Sequence, residues 1–113
     1  MKNPIVHFEI PANDVQRAKK FYERTFGWKI KKFPLPEGEY FAVYTTEVGK
    51  NSRPKKPGAI NGGLLQRKNP DQPFMNYISV NSIDRMLDVI QQNGGVVLMP
   101  KQEIGMGMGW IAA

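Results

Sequence analysis

Residues 6–10 alternate strictly, with Val6, Phe8 and Ile10 on one face and His7 and Glu9 on the other, which predicts a half-buried strand. After Pro11 the period lengthens. Val15, Ala18, Phe21, Tyr22 and Phe26 recur at helical spacing, while Gln16, Arg17, Lys19, Lys20, Glu23 and Arg24 fill the opposite face. Asn13 is the expected N-cap, with Gln16 three residues on completing a weak capping box, and Gly27 supplies a left-handed stop. Residues 5–28 therefore read as a strand wrapped by one amphipathic helix, and the rest of the chain is organised around that unit.

Short strands are predicted over 28–33, 39–46 and 60–67, separated by a turn at 34–38 and a basic, Pro- and Gly-containing loop at 48–59. Gly62 and Gly63, adjacent in the last of these strands, suggest a bulge or a place where backbone or ligand comes close. A second series then begins. A strand over 74–80 leads to Asn81 or Ser82 as a cap, and to a helix carrying Ile83, Met86, Leu87 and Ile90 on one side. Asn93, Gly94 and Gly95 end that helix, and strands over 96–99 and 110–113 follow. An offset of 68 places Ile10 on Ile78, Asn13 on Asn81, Val15 on Ile83, Tyr22 on Ile90 and Gly27 on Gly95. This is an internal repeat of element order, caps and stops with little residue identity. The expected organisation is a single domain over 1–113, with module one at 1–67, a linker at 68–73 and an incomplete module two at 74–113, whose last strand is missing from the sequence.

Composition narrows the function classes. A chain of 113 residues without cysteine has no disulfide, thiolate metal site or cysteine nucleophile, and fits a reducing cytoplasm. No run approaches the roughly 20 apolar residues of a membrane span, and no secretory leader opens the chain, so no membrane partner is expected. The formal charge of +6 is scattered over one helix face and one loop, without zinc-finger spacing or ribonucleoprotein aromatics. It reads as a solvated basic surface, not a nucleic-acid groove.

The order of elements and a set of local patterns resemble the vicinal oxygen chelate superfamily, which includes glyoxalases, bleomycin-resistance proteins and extradiol dioxygenases. The patterns are His7 with Asp14 seven residues on, Phe21 with Tyr22, and Phe26, Gly27 and Trp28 in a row. In the second half they are residues 77–80, Ile83 with Asp84, Gly94 with Gly95, and the glycine-spaced run before Trp110. The resemblance implies an α+β fold of two tandem βαβββ modules, each a curled mixed sheet with its helix outside, forming cups for a small-molecule ligand. It also implies pairing of modules, here expected as a homodimer because an open cup with free strand edges wants a partner.

In metal-dependent members of that superfamily the ligands come from the opening and last strands of each module. His7 matches the opening strand, but its counterpart at the offset of 68 is Met75, a thioether unsuited to hard divalent ions. The last strand of module one offers only Gln66 and Asn61 as neutral oxygen donors. His7 and Gln66 are thus the candidate ligands, fewer than the three that a catalytic centre needs. Two functions follow. The first is a metal-free protein that binds an unidentified small molecule in its cup. The second is a lyase, isomerase or dioxygenase of glyoxalase type, using one zinc, nickel, manganese or iron ion with His7 as a ligand. Glu9 shares the His7 face and is the candidate catalytic base. His7, Trp28, Tyr44, Gln66, Tyr77 and Trp110, together with Tyr40, are the candidate ligand-binding residues.

Overall fold

A computed structural model describes residues 2–34, 39–50, 53–105 and 107–113. The expected turn at 34–38 falls mostly outside them. The fold is α+β: two helices and a mixed sheet of five strands, with a further two-stranded ribbon. The chain divides into two units, Met1–Ser79 and Val80–Ala113. Among the described residues no helix is long and apolar enough to cross a membrane.

The first unit is built on the predicted alternation. Strand β1 (Ile5–Ala12) is followed by helix α1 (Val15–Phe26), then by β2 (Lys29–Phe33), β3 (Tyr40–Tyr44), β4 (Gly62–Gln66) and β5 (Met75–Ile78). The sheet order is β2-β3-β4-β1-β5, with β1 and β4 parallel and the other pairs antiparallel. β1 extends through Pro11, although proline brings no N–H to a ladder. Pairing with β5 ends at Glu9, which leaves Pro11 with β4 alone on one side.

One face of this sheet carries the core: Ile10, Val15, Ile30, Phe41, Val43 and Leu64 are buried, and Phe8, Ala12, Ala18, Tyr22 and Trp28 pack against them. Strand register brings Ile10 and Phe41 to either side of Leu64, which is fully enclosed. The inward stripe of α1 is narrower than its apolar spacing suggests. Phe21 and Phe26 are 54% and 57% exposed, because only Val15, Ala18 and Tyr22 lie over the sheet.

The helix start also differs from expectation. The N-cap is Asp14, whose side chain accepts the Arg17 N–H at 3.1 Å, and not Asn13. Asn13 is occupied elsewhere, its Oδ1 accepting Arg67 Nε–H at 3.0 Å and its carbonyl accepting Gln66 Nε2–H at 2.8 Å. Gly27 ends α1 in the left-handed region at φ 72°, where any side chain would be strained.

The second unit holds α2 (Ile83–Gln92), capped by Ser82, and a ribbon of β6 (Gln102–Glu103) and β7 (Trp110–Ile111). None of the α2 residues is buried. The strand expected over 96–99 is absent. The Leu98 and Met99 N–H groups donate instead to the Ala113 carbonyl, and pairing begins at Gln102. Lys101 links α2 to the ribbon, with Nζ 3.0 Å from Asp84 Oδ2 and 4.9 Å from the centre of the Trp110 ring.

Candidate functional site

Burying Phe8, Ile10, Phe41, Val43 and Leu64 turns the alternate residues of the same strands to the opposite face. That face gathers His7 and Glu9 from β1, Phe33 from β2, Tyr40 and Tyr44 from β3, Gly63 and Leu65 from β4, and Met75 and Tyr77 from β5. Residues far apart in sequence meet there because β1 lies between β4 and β5.

Glu9 is the centre of the cluster. The Tyr40 hydroxyl donates to Oε2 at 2.8 Å and the Tyr77 hydroxyl donates to Oε1 at 2.9 Å. His7 Nε2 lies 2.9 Å from the Tyr40 hydroxyl oxygen and 3.9 Å from Glu9 Oε2. The His7 ring meets the Tyr77 ring edge-on at 5.5 Å, and Phe33 meets Tyr40 edge-on at 6.4 Å. Burial works to raise the Glu9 pKa, but His7 close beside it and the hydrogen bonds from Tyr40 and Tyr77 hold it below the ordinary carboxylate value. Burial, reinforced by the Glu9 charge, raises Tyr40 well above the phenol range and pushes Tyr77 up to about 12.

These states fix the direction of the network. An ionised Glu9 has no proton to give, and the single Tyr40 proton is spent on Oε2. His7 Nε2 therefore carries the hydrogen and donates it to the Tyr40 oxygen. The chain runs from His7 through Tyr40 to Glu9, and in a neutral imidazole with this orientation Nδ1 carries the lone pair.

The paired glycines explain how two aromatic rings fit against β4. A Cβ at Gly62 would lie 2.4 Å from the Phe8 carbonyl oxygen and 2.6 Å from its ring, on the helix side. A Cβ at Gly63 would lie 1.9 Å from the Tyr40 hydroxyl oxygen, on the open side. The strand has no bulge at these positions; Ala42 pairs Gly63 and Val43 pairs Gly62 in unbroken register. The close neighbours are the Phe8 backbone and ring at Gly62 and the Tyr40 phenol at Gly63, so a close approach and not a bulge is what the glycines mark.

His7, Glu9, Tyr40 and Tyr77 are thus brought together, and Tyr44 lies half-buried on the same face of β3. Trp28 is not with them. It stacks on Tyr22 with ring centres 5.0 Å apart and packs on the helix side, where the apolar surface of α1 draws it. Gln66 also points away, following the parity of Leu64, and its Nε2 donates to the Asn13 carbonyl. Trp110 belongs to the second unit, beside a recess of about 290 Å³ that Lys101, Ser82 and Ile83 also line. Sequence patterning did not single out Gly63 as the seat of a phenol. The adjacent glycines were its only trace.

The donor set does not fit a divalent metal at this face. Among the described residues no three His, Cys, Asp or Glu side chains come together. His7 has only Nδ1 outside its contact with Tyr40, Gln66 is on the other side of the sheet, and Asn61 Oδ1 already accepts the Thr45 N–H at 2.8 Å. Both Glu9 oxygens are engaged by phenols.

A family model described as the Glyoxalase/Bleomycin resistance protein/Dioxygenase superfamily matches residues 4–113. The chain belongs to that superfamily. It is 33% identical over 101 residues to CFP32 of Mycobacterium bovis and of Mycobacterium tuberculosis, whose names carry the word glyoxylase. That match covers 86% of this chain but only 36% of each CFP32, so the chain spans about a third of those relatives. A glyoxylase-like domain-containing protein of Didymella fabae is 34% identical over 101 residues, covering 86% of this chain and 73% of that protein. Two solved structures share the superfamily fold. Hypothetical protein BH1468 from Bacillus halodurans C-125 aligns with TM-score 0.64 at 16% identity, over 99% of this chain and 83% of that one. A variant of Streptomyces coelicolor methylmalonyl-CoA epimerase, in complex with 2-nitronate-propionyl-CoA, aligns with TM-score 0.59 at 16% identity, over 96% and 86%.

Proposed function

We propose that this superfamily member binds a small organic molecule on the open face of its five-stranded sheet, without a metal held by His7. The observation that carries this reading is the sparse donor set: among the described residues no three His, Cys, Asp or Glu side chains come together, and both Glu9 oxygens already accept phenol hydrogens. The ligand would lie over aromatic and apolar surface from Phe33, Tyr40, Leu65, Met75 and Tyr77, with His7 Nδ1 and the Glu9 charge as its polar anchors. A homodimer, by which a second copy would close the open face, belongs to the same proposal.

A second reading has one observation in its favour. The chain from His7 through Tyr40 to Glu9 suits His7 for taking a proton at Nδ1 from a bound molecule, since Tyr40 and Glu9 stand ready to stabilise the imidazolium. In this role Glu9 holds charge, because both its oxygens already accept hydrogen bonds.

Elemental analysis of protein purified without chelator, beside His7→Ala, tests the metal-free reading. The expected result is no stoichiometric metal in either protein, and ring-proton NMR shifts of Tyr40 and Tyr77 when a panel of small aromatic and carboxylic compounds is added. Near-stoichiometric zinc, nickel, manganese or iron that disappears in His7→Ala would overturn it. A compound that binds and exchanges a carbon-bound proton for deuterium only while His7 is present would decide for the second reading.

A further inference from the structure

We infer that Gly63 is a positioning residue for the candidate site: by having no side chain it lets the Tyr40 phenol lie against β4 and reach Glu9. The inference rests on reading the open face as the binding site, and its geometry is independent of any ligand. A Cβ built on Gly63 would stand 1.9 Å from the Tyr40 hydroxyl oxygen, 2.2 Å from Cζ and 2.9 Å from Cε1. Those distances are far inside van der Waals contact, and the atoms met are the rigid end of an aromatic ring. The ring has little choice of retreat. Phe33 lies edge-on against it, and the hydroxyl is held between Glu9 Oε2 and His7 Nε2. Nor can the strands draw apart, because Ala42 pairs Gly63 within a ladder that runs from Tyr40 with Leu65 to Val43 with Gly62.

An alanine at 63 therefore turns Tyr40 away about its side-chain torsions. Glu9 then loses one of its two phenol donors, and His7 Nε2–H loses its acceptor. The helix side is untouched, since position 63 faces away from Leu64 and the buried core. Gly62 stands in contrast, because a Cβ there would strike Phe8 and disturb packing instead of the polar cluster. Two adjacent glycines thus do different work, one for the core and one for the site.

Carbon-13 NMR titration of the Glu9 carboxyl group tests this in the wild type, Gly63→Ala, Tyr40→Phe and Tyr40→Ala. Gly63→Ala should move the Glu9 midpoint upward by about as much as Tyr40→Phe does, with core amide shifts unchanged. A midpoint that stays at the wild-type value in Gly63→Ala while Tyr40→Phe moves it would overturn the inference. Urea unfolding covers the case in which Gly63→Ala folds poorly. Adding Gly63→Ala to Tyr40→Ala should leave the urea midpoint where Tyr40→Ala alone puts it, because the ring it strikes is gone. An equal loss in both backgrounds would overturn the inference as well. Neither measurement contains a ligand, so failure of the binding reading and failure of this one are separate outcomes.

Discussion

Tyr77 donates its hydroxyl hydrogen to Glu9 Oε1 at 2.9 Å across 68 positions of chain, the same offset that relates the two halves of the sequence. The pairing of β1 with β5 shows why. Phe8 faces Asn76, its own counterpart at that offset, while His7 faces Tyr77 and Glu9 faces Met75. The two strands meet about a local two-fold relation, as isologous surfaces do. The side chains are not symmetric. Histidine and glutamate on one strand oppose methionine and tyrosine on the other, so a carboxylate acquires a donor where a symmetric pairing would set two like groups together.

The two phenol donors should not contribute equally. Tyr40 both donates to Glu9 and accepts from His7, whereas among the described residues the Tyr77 hydroxyl bonds Glu9. Tyr40→Phe is expected to cost about 1–3 kcal/mol of unfolding free energy, as for a hydrogen bond to a charged group, and Tyr77→Phe less. Urea denaturation near neutral pH measures both. A larger loss for Tyr77→Phe would contradict the network as drawn.

Acid should weaken the fold through Glu9. Its carboxyl titrates below the ordinary value of 4.5 in the folded chain, so the unfolded chain takes up the proton first as pH falls. The stability that this shift contributes is complete above the unfolded value and is lost as pH drops through the folded one. Glu9→Gln has no such proton to take up. Its stability should fall less steeply than wild type on going below pH 4.5, in thermal melts taken across that range.

Local pattern made much of this legible in advance. The alternation of residues 6–10 and the helical spacing from Val15 placed β1 and α1, and strand residue types placed β2 to β5. His7, Glu9, Tyr40 and Tyr77 could be assigned to strands, and His7 and Glu9 to one face. Their mutual hydrogen bonds could not be read, because they depend on β1 lying between β4 and β5 and on the register of each pair. Trp28 illustrates the limit. A strand-flanking aromatic suits either face, and stacking on Tyr22 decides for the helix side. Residues 96–99 have the composition of a strand, yet the Leu98 and Met99 N–H groups both find the Ala113 carbonyl.

The alkaline limb has the opposite sign. Tyr77 is pushed up to about 12 from an ordinary 10.0, first by burial and then by its bond to the Glu9 charge. The unfolded chain loses its phenol proton first, so this contribution is intact below pH 10.0 and fades as pH rises toward 12. Phenolate absorbance should show a late-titrating tyrosine that is missing in Tyr77→Phe. In Glu9→Gln that titration should move down, though not fully, since burial remains.

The core gives a larger and simpler effect. Leu64 has no exposed surface and stands between Ile10 and Phe41. Leu64→Ala should cost about 2–5 kcal/mol, the range for a truncated buried leucine. The Glu9 titration is the control: the polar cluster lies on the other face, so its midpoint should hold in whatever fraction remains folded.

The cap that the sequence pattern assigns to Asn13 belongs to Asp14, and Asn13 has a different role. Asp14 caps α1 by accepting the Arg17 N–H, and its charge also faces the positive end of the helix dipole. Asp14→Ala should therefore cost about 1 kcal/mol, while Asp14→Asn, which keeps the capping oxygen, should cost only a few tenths. Asn13 joins the helix start to the end of β4, through Arg67 and Gln66. Asn13→Ala removes the acceptor for Arg67 Nε–H and leaves the cap in place. A double-mutant cycle tells them apart. Asn13→Ala should be non-additive with Arg67→Ala, because the pair shares one hydrogen bond, and Asp14→Ala should add to Arg67→Ala nearly in full. Coupling of Arg67 to Asp14 instead would return the cap to Asn13.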